Sequence, residues 1–364
     1  MAKRFKEITP KDITTTRTLL HEAIPLTGTI VSGTYNQDDT EHNIKNYSHG
    51  MFQSVYDYPY LSSSANHVFD VSVGYSALSA LSGATSVQNS KKINLYNQMA
   101  QVLVGYDVTG SVLRFDQAGD LTDAGTKMNE VVFFNFSRLL TKDEIKKGSF
   151  TMNFLTGGFP GAFSEGVDGD AEGPLTVQEV NATKTYKSNS PAGEYGILYS
   201  DAGGTSRVGL LYYQAGIAVL TASIFPNRTQ AGQSAASEGA FGPPGTTLDT
   251  GSIETVLSGA NISSSCDGVR HRLTNISFNN TTELNSTIYF CRANFNEFNY
   301  SSNPTYLSSS QIRVKTKETD NPVSYITTIG LYNSENVLMA TAKLSEPLRK
   351  TPSNELTLRV RLDY

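Results

Sequence analysis

The chain has 364 residues, of which 17% are charged and 38% hydrophobic, and its formal net charge is −5. Soluble domains usually carry about 25% charged residues; here Ser, Thr, Asn, Gly and Tyr stand in for charge, the palette of β-rich proteins with many turns. The acidic balance and the short basic clusters (MAKRFK, KDEIKK at 142–147, RVKTK at 313–317) argue against nucleic-acid binding, and no stretch approaches the about 18 continuous apolar residues of a membrane-spanning helix. The opening MAKRFKEITPKDITTT has a basic start with no apolar core behind it, so no secretory signal is expected and folding in the cytoplasm is. The Asn-X-Ser/Thr sequons, among them Asn275, Asn279 and Asn285, then read as a by-product of composition.

In chain order, residues 1–50 read as an extended N-terminal arm or linker, with a short helical possibility over Ile13–Ala23. Residues 51–225 read as a β-rich domain. In it HVFDVSVGY alternates Phe69, Val71 and Val73 against Val68, Asp70 and Ser72. One helix is expected near 91–104, with Ser90 as N-cap, Gly105 as stop, and Ile93, Tyr96, Ala100, Leu103 and Val104 on one face. VVFFNF (131–136) is a continuous apolar run that predicts a strand buried on both faces. SFTMNFL turns Phe150, Met152 and Phe154 to one side, and 195–225 reads as three strands joined by DAGGTS and QAG turns. Residues 226–260 read as a surface insertion. Residues 261–364 return to strands that complete an antiparallel sheet, ending in a three-stranded meander of YITTIGLYN, VLMATAKL and ELTLRVRLDY. The last of these turns Leu356, Leu358, Val360 and Leu362 inward and Arg359, Arg361 and Asp363 outward. The fold class predicted is mainly β, with β-sandwich-like antiparallel sheets and a few short helices.

Chemistry is sparse. DGDAEGPLTVQE matches much of a calcium loop, with Asp168, Asp170, Glu172 and Glu179 as oxygen donors. No helix is expected on either side of it, and an acidic hairpin loop is the plainer reading. A carboxylate pair drawn from Asp168, Asp170 and Glu172 would lack the fixed separation that glycoside hydrolysis needs. The histidines at 21, 42, 49, 67 and 271 sit in no triad signature, G-x-S-x-G is missing, and GGFPGAFSEG lacks the Lys of a phosphate loop. Cys266 and Cys291 are expected to be two free, partly buried thiols. No cofactor and no enzymatic activity are expected.

Several blocks carry a resemblance. VYDYPYL (55–61), INLYNQMAQVLVG (93–105), VVFFNFSRLLTKDEIKKGSFTMNF (131–154), YGILYSD and VGLLYYQAGIAVLTAS (195–223), and NFNEFNYSSNPTY (294–306) with the segments that follow it to Tyr364, resemble virion structural proteins of contractile-tailed phages. The nearest look is that of marine myoviruses infecting cyanobacteria. The resemblance implies a structural component of the tail, in the baseplate, assembled in the host cytoplasm. Its implied partners are other tail and baseplate proteins and copies of itself in a ring or wedge. It transfers no active site. The alternative is a receptor-binding or fibre-attachment protein of the virion, using loops at 226–260 and 275–305.

Overall fold

The computed structural model describes residues 5–25, 43–83, 87–122, 125–154, 175–225, 257–258, 261–270, 272–300, 307–308, 311–312, 317, 319 and 321–364. In chain order the elements are β1 (Ile13–Pro25), β2 (Ile44–Asn46), β3 (Gln53–Tyr56), β4 (His67–Tyr75), α1 (Val87–Leu103), β5 (Glu130–Phe136), α2 (Arg138–Thr141), β6 (Glu144–Ile145), β7 (Thr151–Phe154), β8 (Leu175–Glu179), α3 (Ala182–Thr185), β9 (Lys187–Ser190), β10 (Gly193–Tyr199), β11 (Arg207–Tyr212) and β12 (Ile217–Thr221). After them come α4 (Ile262–Arg270), β13 (Leu273–Ala293), the short β14 (Leu307–Ser308) and β15 (Gln311–Ile312), β16 (Ser324–Tyr332), β17 (Leu338–Lys350) and β18 (Leu356–Asp363). The fold is mainly antiparallel β with few helices. The chain divides into a larger unit, 20–282, and a smaller one made of 1–19 and 283–364.

In the larger unit the strands follow the order β13-β7-β8-β10-β11-β12-β5-β4-β3-β2. VVFFNF forms β5 at the middle of this sheet, with Val132, Phe134 and Phe136 on one face and Val131 and Phe133 on the other, all five buried. The sheet curls. Phe134 of β5 meets Phe154 of β7 at 6.0 Å between ring centroids, and Phe136 meets Phe278 of β13 at 5.2 Å. β5 and β7 stand five places apart in the strand order, which in a flat sheet would separate them by about 24 Å. The inner face therefore closes round one core, built from Val55, Phe69, Phe134, Phe136, Phe154 and Phe278 among others.

The outer face is covered by α1 and by the segment that follows it. Gly74 of β4 allows the contact: a Cβ there would lie 2.9 Å from the Lys92 carbonyl oxygen and 3.1 Å from the Tyr96 nitrogen. Tyr96 then ties the segment down, its hydroxyl donating to the Met128 carbonyl (2.9 Å) and accepting from the Phe115 N–H (3.2 Å). The helix begins at Val87, so Ser90 lies inside its first turn, and it ends as expected before Gly105, whose φ is +97°. Lys92, not Ile93, occupies the buried stripe; its ammonium donates to the Leu257 carbonyl, and burial pushes its pKa down to about 8.

Three sequence expectations are corrected. Residues 13–25 form a strand and no helix, because their Thr-rich run pairs with β13. Residues 262–270, expected to be strand, form α4. Ile262, Cys266 and Val269 share its buried face, and the Asn261 side-chain oxygen accepts from the Ser264 N–H at 2.7 Å, as an N-cap does. The C-terminal meander does not form. In the smaller unit, among the described residues, β16 and β17 pair only with each other, joined by an Asn333–Val337 turn, while β18 pairs with β13 from Ser286↔Asp363 to Ala293↔Leu356. The turn at Thr351–Asn354 redirects the chain: the Asn354 side chain accepts from the Thr351 N–H (2.7 Å) and donates to the Arg349 carbonyl (2.9 Å). The alternation of β18 is as expected, with Val360 buried and Arg361 paired outward to Asp363 at 2.7 Å.

Candidate functional site

Asp168, Asp170 and Glu172 of the calcium-loop match lie outside the described residues, as do His42, His271 and, apart from Leu257 and Ser258, the insertion at 226–260. Glu179 is described, and its bonds are all made within the protein. It ends β8 with its carboxylate accepting from the Tyr213 hydroxyl and from the Gly148 N–H (2.8 Å). Gly196 leaves them the space, since a Cβ there would strike both the Tyr213 hydroxyl and the Glu179 carboxylate. Beside this tie, Lys147 pairs with Glu194 at 2.5 Å and lies over the rings of Tyr186 and Tyr213, at 4.8 and 5.2 Å. Burial raises the Glu179 pKa, opposed by the hydrogen bonds and by Lys147.

A carboxyl raised on folding favours the folded state below its unfolded value and loses that contribution as pH rises through its folded one. Glu179→Gln stays neutral throughout. Its stability relative to the parent chain is therefore expected to improve as pH rises from about 4 to 8. Urea unfolding of both chains across that range checks this, and a pH-independent difference contradicts it.

The cysteines are both free; Cys266 is buried in α4, its thiol 3.3 Å from the Val71 carbonyl and its pKa pushed up by burial, and Cys291 is half-buried in β13. His21 lies 3.1 Å from the Thr281 hydroxyl. Residues 275–293, expected to belong to a binding loop, are part of strand β13.

The richest grouping was not singled out in the sequence. On the outer face of the larger unit, Lys45 of β2, Ser54 of β3, Asp70 of β4 and Asn135 of β5 stand opposite one another on four adjacent strands. α1 covers this face near Gly74, and the end at Asp70 and Asn135 is open, with Asn135 exposed. Ser54 donates to Asp70 Oδ1 at 2.5 Å, His67 Nε2 lies 2.8 Å from the same oxygen, and the Tyr47 hydroxyl is 3.2 Å from Ser54 Oγ. Rings rim the row. Tyr47 stacks on His49 at 5.1 Å, meets Phe52 at 4.9 Å and carries the Lys45 ammonium at 4.9 Å. Tyr56 stands edge-on to His67 at 5.6 Å and meets Tyr60 at 6.2 Å.

Ser, Asp and His meet here, but their order is wrong for nucleophilic catalysis. That chemistry needs the imidazole on the hydroxyl and the carboxylate behind the imidazole. Here the carboxylate stands between them, and Ser54 is only 2% exposed. Asp70 instead fixes His67 and Ser54 in place. Among the described residues, Asp70 Oδ2, the Lys45 ammonium, the Asn135 amide and His67 Nδ1 make no hydrogen bond within the protein. The face therefore offers rings with unspent donors and acceptors. Its sequence signals are the polar side of the HVFDVSVGY alternation and the aromatic run VYDYPYL.

No family model, curated protein or solved structure matches the chain.

Proposed function

We propose that the chain is a non-catalytic structural component of a contractile phage tail, in the baseplate, that holds neighbouring subunits in register. The observation that carries this reading is the β16–β17 hairpin of the smaller unit. A two-stranded ribbon is marginal in water by itself, and this one exposes Tyr325, Tyr332, Leu338 and Met339, the last at 68%. Large apolar side chains left exposed on such a ribbon, at both of its ends, suit surfaces that a neighbour covers. Repeated contacts between unlike surfaces are what build rings and wedges. The phage tail as the setting rests on the sequence resemblance.

Immunogold labelling of intact virions with antibody against this chain tests the reading. Label at the distal end of the tail is the expected result. Label on the head or collar would overturn the baseplate placement, and absence of the chain from virion mass spectrometry would overturn the structural role.

A receptor-binding role is the second reading, favoured by the aromatic and polar face around Asp70.

A further inference from the structure

The geometry points to a saccharide-binding site on the open end of the outer sheet face, formed by Lys45, Asp70 and Asn135 with the rings of Tyr47, Tyr56 and Tyr60. This deepens the receptor-binding reading and does not depend on the hairpin being an assembly contact.

Four features select the ligand class. The floor is polar: Lys45, Asp70 and Asn135 lie in register on β2, β4 and β5, with the buried Ser54 on β3 between the first two under the Tyr47 hydroxyl. It is a poor floor for an apolar protein segment, whose contacts want a dry centre. The rim is aromatic, and the rings are held by one another and by His67, His49 and Phe52, so little ordering remains to be done on binding. Tyrosines beside small polar side chains combine flat apolar area with adaptable hydrogen bonding, and a pyranose presents the match: a C–H face for a ring and a girdle of hydroxyls for the floor. The charges balance, with Lys45 and Lys91, the latter donating to the His49 carbonyl, against Asp70 and Asp57, the latter accepting from Asn66, so the face favours a neutral hydroxylated ligand over a polyanion. Finally, the polar atoms are available. Asp70 holds Ser54 and His67 through Oδ1 and leaves Oδ2 without a bond, while the side chains of Lys45 and Asn135 make no internal hydrogen bond among the described residues. A carboxylate acceptor, an ammonium donor and an amide that is both can take vicinal hydroxyls in the pairs a sugar offers.

The test uses the full chain on a printed panel of neutral bacterial surface oligosaccharides, with uronic-acid and sialylated oligosaccharides as the contrast. Saccharides that bind are then titrated by NMR on the full chain. Binding of a neutral saccharide is expected, with shifts at the Tyr47, Tyr56 and His67 side chains. Asn135→Arg fills the floor without removing an internal bond and is expected to weaken binding at least about tenfold with unchanged circular dichroism. Tyr60→Ala is expected to do the same from the rim, and Lys343→Ala on the hairpin to leave binding as it is. Failure of every neutral saccharide to bind, preference for the polyanions, or binding that Asn135→Arg and Tyr60→Ala leave unchanged would each overturn the proposal. So would hydrogen exchange on intact virions showing this face covered by a protein neighbour. None of these outcomes bears on where the chain sits in the virion, which the labelling experiment reads separately.

Discussion

Phe136→Ala is expected to destabilise the larger unit by about 3–5 kcal/mol, the usual cost of emptying a buried aromatic position. Phe136 is buried, and its ring touches Phe69 at 6.2 Å, Phe150 at 5.7 Å and Phe278 at 5.2 Å. Those partners lie on β4, just ahead of β7, and on β13, so a single side chain joins the middle of the sheet to the strands that curl back over it. Truncation leaves a cavity at that closure, and the surrounding rings cannot fill it without uncurling the sheet. Asn135, the adjacent residue on the same strand, points outward and is exposed. Asn135→Ala is the internal contrast, expected to change stability by less than about 0.5 kcal/mol. Urea unfolding followed through amide exchange in β5 separates the two. A Phe136→Ala cost below about 1 kcal/mol would mean that the inner core is not what closes the sheet.

What could be read from the sequence tracks how local the cause was. β5, β7 and β10–β12 were legible because their own residues carry the pattern: a continuous apolar run, a clean alternation, turns rich in Gly. The alternation of β18 was legible too, but its partner was not. Nothing in ELTLRVRLDY prefers β13 over β17; the Thr351–Asn354 turn and eight positions in register on β13 decide it. The helical possibility over Ile13–Ala23 is local, and only the pairing with β13 makes the segment a strand. α4 carries its signals, the Asn261 cap and the Ile262, Cys266, Val269 spacing, inside an Asn/Ser/Thr-rich stretch that reads as strands and their connections. The candidate site was the least legible of all. Lys45, Ser54, Asp70 and Asn135 are scattered along the chain, and they share a face only through three strand registers that no local rule fixes.

Lys350→Met is expected to loosen the smaller unit by about 3 kcal/mol while leaving the larger unit's sheet intact, since an unmet buried acceptor costs about 1–3 kcal/mol. Lys350 is fully buried at the end of β17, and its ammonium donates to the Asn299 side-chain oxygen (2.6 Å), the Thr351 carbonyl (2.9 Å) and the Phe295 carbonyl (3.3 Å). The Lys350 ammonium, together with the Ser324 hydroxyl that donates to the Phe298 carbonyl, holds the end of the hairpin against the 294–299 loop, where Phe298 sits at φ +56° without being glycine. Such a backbone persists only where its surroundings impose it. Methionine keeps the length and the apolar stem but supplies no donor, so the acceptors lose their partner while the packing stays. Hydrogen exchange reads the result element by element: the amides of β16, β17 and 294–299 are expected to lose protection, and those of β5 and β10–β12 to keep theirs. Equal loss in both sets would mean that the two units unfold as one. Retained protection in β17 would mean that Lys350 is not what anchors the hairpin, leaving the Ser324–Phe298 bond and the Phe5–Tyr332 ring contact to do so. The expected outcome gives the hairpin a buried anchor at Lys350, while Val337, Leu338 and Met339 stay exposed beside the turn at its other end.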